Sequence, residues 1–307
     1  MRFNPKARLD RSQVQDRRGG GGGGLGLPAG GGGGRGIKVG GGVGGIVVLL
    51  LVVLLNGGLD GLTTGGGDAG AGSSDDQSLA RCRTGADANR DEDCARVAVV
   101  NSIQAFWTEA LPQQADREYV EATTRWFSDQ VSTGCGTASS AVGPFYCPPD
   151  QRVYLDLTFF DAMLERQLGA AGGDFAEAYV VGHEYGHHVQ NLLGIMGQVR
   201  TQQGAQSDAV RLELQADCLA GMWTKHATQV PDERGTVFIS ELTRADITEA
   251  LDAASAVGDD RIQQKTSGRV NPEAWTHGSA EQRRQWFTRG LEEGSLRACD
   301  TFSATRL

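Results

Sequence analysis

An α+β fold, mostly helical with a small sheet and standing behind an N-terminal transmembrane helix, is what this sequence predicts. Three observations lead there. Composition changes near residue 78 from glycine-rich to ordinary, with 26 of the 45 glycines lying before residue 73. The stretch 39–59 contains no charged residue and holds the apolar run Ile46–Leu55. After it, strand-like patterns occupy the first half of the body and long helical patterns the second half.

The 307 residues carry net charge −9, but unevenly. Residues 1–58 hold eight Lys or Arg against Asp10 and Asp16, and removing that +6 from the total leaves −15 on the rest. So acidic a body argues against nucleic acid as a partner. An apolar content of 39% and a mean hydropathy of −0.32 exclude a multi-spanning membrane protein. Residues 1–38 read as a basic, glycine-rich leader, because the run 19–36 has almost no apolar surface to bury and the most backbone entropy to lose.

Ten helical residues, Ile46–Leu55, cover only about 15 Å. The full 21 uncharged residues of 39–59 are long enough to span a bilayer. The long stretch before the run and the lack of a small-x-small site after it favour an uncleaved signal anchor over a cleaved signal peptide. Positive charge on its N-terminal side then puts the N-terminus in the cytoplasm and the body outside, as a single-pass protein of the cell membrane. Residues 60–78 form a linker, and 79–307 a single domain large enough for its own core.

Six cysteines, Cys82, Cys94, Cys135, Cys147, Cys218 and Cys299, all follow the anchor, and an even number suits an oxidising compartment. The economical pairing joins Cys82 to Cys94 and Cys135 to Cys147, leaving Cys218 for Cys299 or as a buried free thiol. A four-cysteine zinc site lacks any Cys-x-x-Cys spacing.

Along the body, Arg96–Ala110 has helical apolar spacing and stops before Pro112. Tyr119–Val131 is ambiguous. Ala138–Val142 and Gln151–Leu157 look like short strands around the turn-rich 143–150. Asp174 opens a long helix to Leu193, with Gly194 as terminator. Further helices cover Ala205–Ala227, Leu242–Ala256 and Ser279–Leu291. Asp259 and Asp260 read as a solvated turn rather than a calcium site.

The chemistry concentrates in His183-Glu184-Tyr185-Gly186-His187. Positions i and i+4 share a helix face, so both imidazoles reach one cation, and Glu184 stands where it can polarise a water held there. A catalytic zinc needs a third ligand and an open position. Gln190 and Leu193 occupy the places where metzincins put Gly and His, which excludes that class. His188 points about 100° away from His187. On the next helix, Glu213-Leu-Gln-Ala-Asp217 again presents i and i+4 together: Glu213 as the third ligand, and Asp217 to fix the free N–H of a ligand histidine.

With Glu-x-x-x-Asp following His-Glu-x-x-His, the chain resembles the gluzincins. More closely it is similar to the bacterial neutral zinc metallopeptidases (YpfJ-like). The matching stretches are Asp16–Gly19, Gly143–Cys147, Val153–Asp156, Tyr179–Gln190, Glu213–Cys218, Thr276–Ser279 and Glu281–Arg283. The resemblance implies a zincin-like domain behind an N-terminal anchor and, for the downstream His277, a part in stabilising an oxyanion. Arg283, under two helical turns from His277, reads either as a binder of a substrate carbonyl or carboxylate or as a surface charge. The small, uncharged segment Ala138, Ser139, Ser140, Ala141 and Val142 is the expected edge strand that aligns an extended peptide.

The expected function is zinc-dependent hydrolysis of peptide bonds in a peptide or protein substrate, with one Zn2+ per chain and Glu184 taking the proton of the attacking water. Two alternatives keep the metal: a non-catalytic zinc-binding scaffold of the cell envelope, and an amidase acting on cell-wall crosslinks.

Overall fold

The structure, a computed structural model, describes residues 1–18 and 78–307. In chain order the elements are β1 (Arg2–Phe3), β2 (Val14–Asp16), α1 (Gly85–Ala88), α2 (Glu92–Ala115), β3 (Thr123–Phe127), β4 (Gln130–Thr133), β5 (Gly136–Ser139), β6 (Phe145–Cys147), β7 (Arg152–Asp156), α3 (Asp174–Leu192), α4 (Asp208–His226), β8 (Ile239–Glu241), α5 (Arg244–Ala256), α6 (Asp259–Ser267) and α7 (Ala280–Glu293). The mixed fold is as expected, a helical body with a small sheet. Among the described residues no helix is long and apolar enough to cross a membrane. The expected anchor, 39–59, and the linker up to residue 77 lie outside the described residues.

A four-stranded sheet runs in the order β2-β3-β7-β6. β2, β3 and β7 are parallel, and β6 is antiparallel at one edge. The expectation of a leader separate from the domain needs correction for residues 1–18. β2 forms the opposite edge of this sheet, with Gln15 beside Arg125, and β1 pairs with β8. Phe3, Ala7 and Val14 are core residues. Sequence composition pointed the other way because these strands, of three and two residues, are too short to show a period.

The second correction concerns Ala138–Val142. Gly136–Ser139 is half of a separate two-stranded hairpin with β4, and Ser140–Val142 is a turn of 3-10 helix. The edge of the main sheet is β6, which starts three residues later. Its three residues are buried, and the Pro and Gly around them masked the strand. The Cys135–Cys147 disulfide ties hairpin to edge. The other two bridges, Cys82–Cys94 and Cys218–Cys299, also match the expected pairing.

α2 runs on through Pro112 to Ala115 and ends at Asp116, whose φ of 52° is left-handed. Pro112 sits in the last turn, where its missing N–H loses one bond, that to the carbonyl of Thr108, without stopping the helix. The ends of α3, α4, α5 and α7 agree with expectation to within three residues, whereas α2 starts four residues earlier than expected and the short α1 and α6 are additions, α6 standing where a turn is expected at Asp259 and Asp260.

Helices α3, α4 and α7 pack through glycine contacts that set their spacing. A Cβ on Gly290 would stand 1.9 Å from the carbonyl oxygen of Cys218, and one on Gly221 would stand 2.1 Å from that of Phe287. Glycine inside a helix costs about 1 kcal/mol relative to alanine, so its use here reflects backbones in contact. Gly290→Ala should therefore destabilise the protein by about 1–3 kcal/mol. Thermal unfolding should show a Tm lower by roughly 3–10 °C, and an unchanged Tm would refute the contact.

Candidate metal centre and active site

α3 carries three functional faces, each fixed by what it packs on. Its Gly182 and Gly186 face α4, where a Cβ on Gly186 would lie 3.0 Å from the Cα and the carbonyl oxygen of Ala216. This close approach brings Glu213, one turn before Ala216, up to the histidines. The sheet-facing side is pinned by Tyr185, whose hydroxyl is 2.8 Å from Thr124 Oγ1. His188 joins that side: its Nδ1 lies 2.9 Å from the Tyr146 hydroxyl and its Nε2 2.6 Å from the Val120 carbonyl. His188 thus belongs to the packing of helix on sheet and not to the metal site.

The third face presents His183, Glu184 and His187, all buried. Glu213 Oε2 lies 3.3 Å from His183 Nε2, and Glu213 Oε1 lies 3.4 Å from His187 Nε2. Three donors at zinc–ligand distances of 2.0–2.1 Å in tetrahedral geometry are about 3.3 Å apart. One ligand atom from each of the three residues lies within 4.8 Å of the other two, close enough for a single ion to bridge them. Two imidazoles and one carboxylate are also a donor set that suits zinc.

The outer nitrogens of both imidazoles are held. His183 Nδ1 is 2.8 Å from Asp217 Oδ1, as expected for Asp217. His187 Nδ1 is 2.8 Å from Gln190 Oε1. The Gln190 amide donates to the Leu212 carbonyl at 2.7 Å, which leaves its oxygen to accept from His187. Both rings therefore carry the proton on Nδ1 and turn the lone pair of Nε2 inward. The sequence offered Gln190 only as the residue that excludes metzincins. Its i+3 spacing from His187 was the signal for this second role.

Charge in the site is mutually compensating. Burial alone would lower the His183 imidazole, but Asp217 and Glu213 outweigh it and push it up to about 9. Burial likewise raises Glu213, yet His277, His187 and His183 hold it well below the usual carboxylate range. Glu184 differs. Burial pushes its carboxyl up, against the pull of His187 and His183, and among the described residues no side chain hydrogen-bonds to it.

Arg283 is not where a substrate group could use it, and this corrects the sequence expectation. It is 4% exposed; its Nε and Nη2 donate to Asp217 at 2.8 and 2.9 Å, and Nη2 also donates to the Tyr179 hydroxyl at 3.2 Å. Burial would raise the Asp217 carboxyl, but Arg283 and His183 keep it low. Arg283 therefore acts through Asp217, neutralising the carboxylate that orients His183.

His277 does reach the site, with Nε2 at 4.0 Å from Glu213 Oε2. Its loop is held by Asp259, where the sequence suggested a solvated turn. Asp259 is buried, and its Oδ2 accepts the backbone N–H groups of Thr276, His277 and Gly278 at 2.7, 2.7 and 3.0 Å. Asp259 Oδ1 is 3.6 Å from His277 Nδ1. Asp260 accepts the N–H of Ala280 at 2.7 Å. No sequence signal marked Asp259, because its partners come 17 to 19 residues later.

A family model described as "Putative neutral zinc metallopeptidase" matches residues 1–302. The chain belongs to this family. The match includes the N-terminal residues that complete the sheet. The chain is 56% identical over 233 residues to the uncharacterized protein Rv2575 of Mycobacterium tuberculosis, covering 75% of this chain and 77% of that one. It is 40% identical over 262 residues to the uncharacterized protein YpfJ of Escherichia coli K12, covering 83% and 86%. No solved structure matches.

Proposed function

We propose that the protein is a zinc-dependent endopeptidase, with His183, His187 and Glu213 holding the metal and Glu184 acting as general base. The observation that carries this reading is a cluster of three ligand side chains with donor atoms within 4.8 Å of one another, beside a buried, unengaged carboxylate on the histidine helix. Zinc in this position supplies a Lewis acid that polarises a carbonyl and acidifies a water. Glu184 takes the proton of the attacking water and gives it to the leaving amine. A carboxyl raised by burial is a better base for that exchange than an exposed one. A structural site needs no such residue.

His277, held by Asp259 on a firmly bonded loop, steadies the negative charge that develops on the carbonyl oxygen. Among the described residues the outer edge of β6 has no strand partner in the sheet, and an extended peptide can pair there. The test is cleavage of an unbiased peptide mixture by the full-length protein, with and without chelator. The expected result is hydrolysis abolished by chelator and restored by zinc, the fold remaining largely intact. Global unfolding on chelation with no cleavage beforehand would favour a structural metal.

A further inference from the structure

Residues 1–18 are received by polar side chains of the body, of which Asn101 and Asp232 are buried. Asn101, 2% exposed in α2, accepts the N–H of Asp10 and donates to the Asp10 carbonyl, both at 2.8 Å. Its amide also donates to Gln13 Oε1 at 2.8 Å. Asn89 forms the same two-way pair with the backbone of Phe3, at 3.0 and 2.8 Å. Asp232 accepts the N–H of Arg8 at 2.7 Å. Gly85 leaves space for the first turn of the chain, since a Cβ there would be 2.0 Å from the Asn4 carbonyl oxygen. Three separate stretches of the body, at 85–89, Asn101 and Asp232, are thus shaped to residues 1–18, and the buried Asn101 amide would be costly to leave without these partners.

The junction extends to Arg18, where the first described stretch ends. Arg18 donates to Asp16 at 2.6 Å and to Asp93 on α2 at 2.8 Å, and its guanidinium lies 4.9 Å from the Trp126 ring centroid. The Arg17 N–H donates to the Trp126 carbonyl at 2.9 Å. Ser78, where the second described stretch begins, hydrogen-bonds through its side chain to the same Asp16. Residues 18 and 78 therefore meet at one carboxylate.

We infer that residues 1–18 and 78–307 fold as one unit and lie on the same side of the membrane. A single crossing by residues 39–59 would put them on opposite sides and leave Asn89, Asn101 and the exposed edge of β3 without their partners. The single-pass arrangement expected from hydropathy and charge, with a cytoplasmic N-terminus, is incompatible with this fold. The basic residues before the apolar run include Arg8, Arg17 and Arg18, whose backbone or side chains the folded body binds.

The test uses the full-length chain in intact bacterial cells. Lys6→Cys and Arg234→Cys, both at exposed positions, are made one at a time and treated with a membrane-impermeant maleimide before and after lysis. The six native cysteines are paired and silent. The inference expects the two variants to label alike, whichever side that is. Labelling of Arg234→Cys in intact cells with Lys6→Cys protected until lysis, or the reverse, overturns it. As a control on folding, deletion of residues 1–18 should lower the Tm of the purified protein by more than about 10 °C. An unaltered Tm after the deletion would also overturn it.

Discussion

Replacing Glu184 with Gln is expected to slow peptide hydrolysis by about 10²–10⁴-fold, with zinc content and Tm unchanged. The substitution keeps size and shape and removes only the group that accepts a proton. Glu184 has no structural partner to lose, since no described side chain hydrogen-bonds to its carboxylate, and the three ligands are other residues. Steady-state rates on a cleaved peptide, alongside zinc content and a thermal melt, check this directly. A variant as active as wild type would remove Glu184 from the chemistry.

Asp217→Ala is expected to have the largest effect on stability. Asp217 is fully buried and is shared among Arg283, His183 and Tyr179. Its loss strands the guanidinium of Arg283 in the interior and leaves His183 Nδ1 without its carboxylate. Breaking a buried pair on one side costs about 3–5 kcal/mol, which for a domain of this size is a fall in Tm of roughly 10 °C. Zinc affinity should drop by about 10–100-fold in the same variant, because the imidazole is no longer held in its tautomer. Thermal melts and competition with a chelator of known affinity measure both. If Tm fell but zinc affinity held, Asp217 would be a packing residue only.

What was legible in the sequence was what local periodicity encodes. His183, Glu184 and His187 on one helix, and Glu213 with Asp217 on the next, follow from 3.6 residues per turn, and the structure brings them together. The disulfides followed from spacing. Buried charge was not legible. Arg283 was read as substrate-facing because nothing along the chain reveals that its partner is a buried aspartate 66 residues earlier. Asp259 was read as solvated for the same reason. The first 18 residues were assigned to a leader because the adjoining glycine run dominates their composition, while the contacts that hold them come from Asn89, Asn101, Trp126 and Asp232. The edge strand lies five to seven residues beyond the expected Ala138–Val142, because β6 (Phe145–Cys147) is short and flanked by turn-forming residues on both sides.

Metal content of the full-length protein, wild type beside Glu213→Ala, tests the central claim most directly. The account predicts about one zinc per wild-type chain and its loss or marked loosening in the variant. Zinc retained equally by both would place the third ligand elsewhere, and no zinc in either would contradict the assignment of His183, His187 and Glu213 as a metal centre.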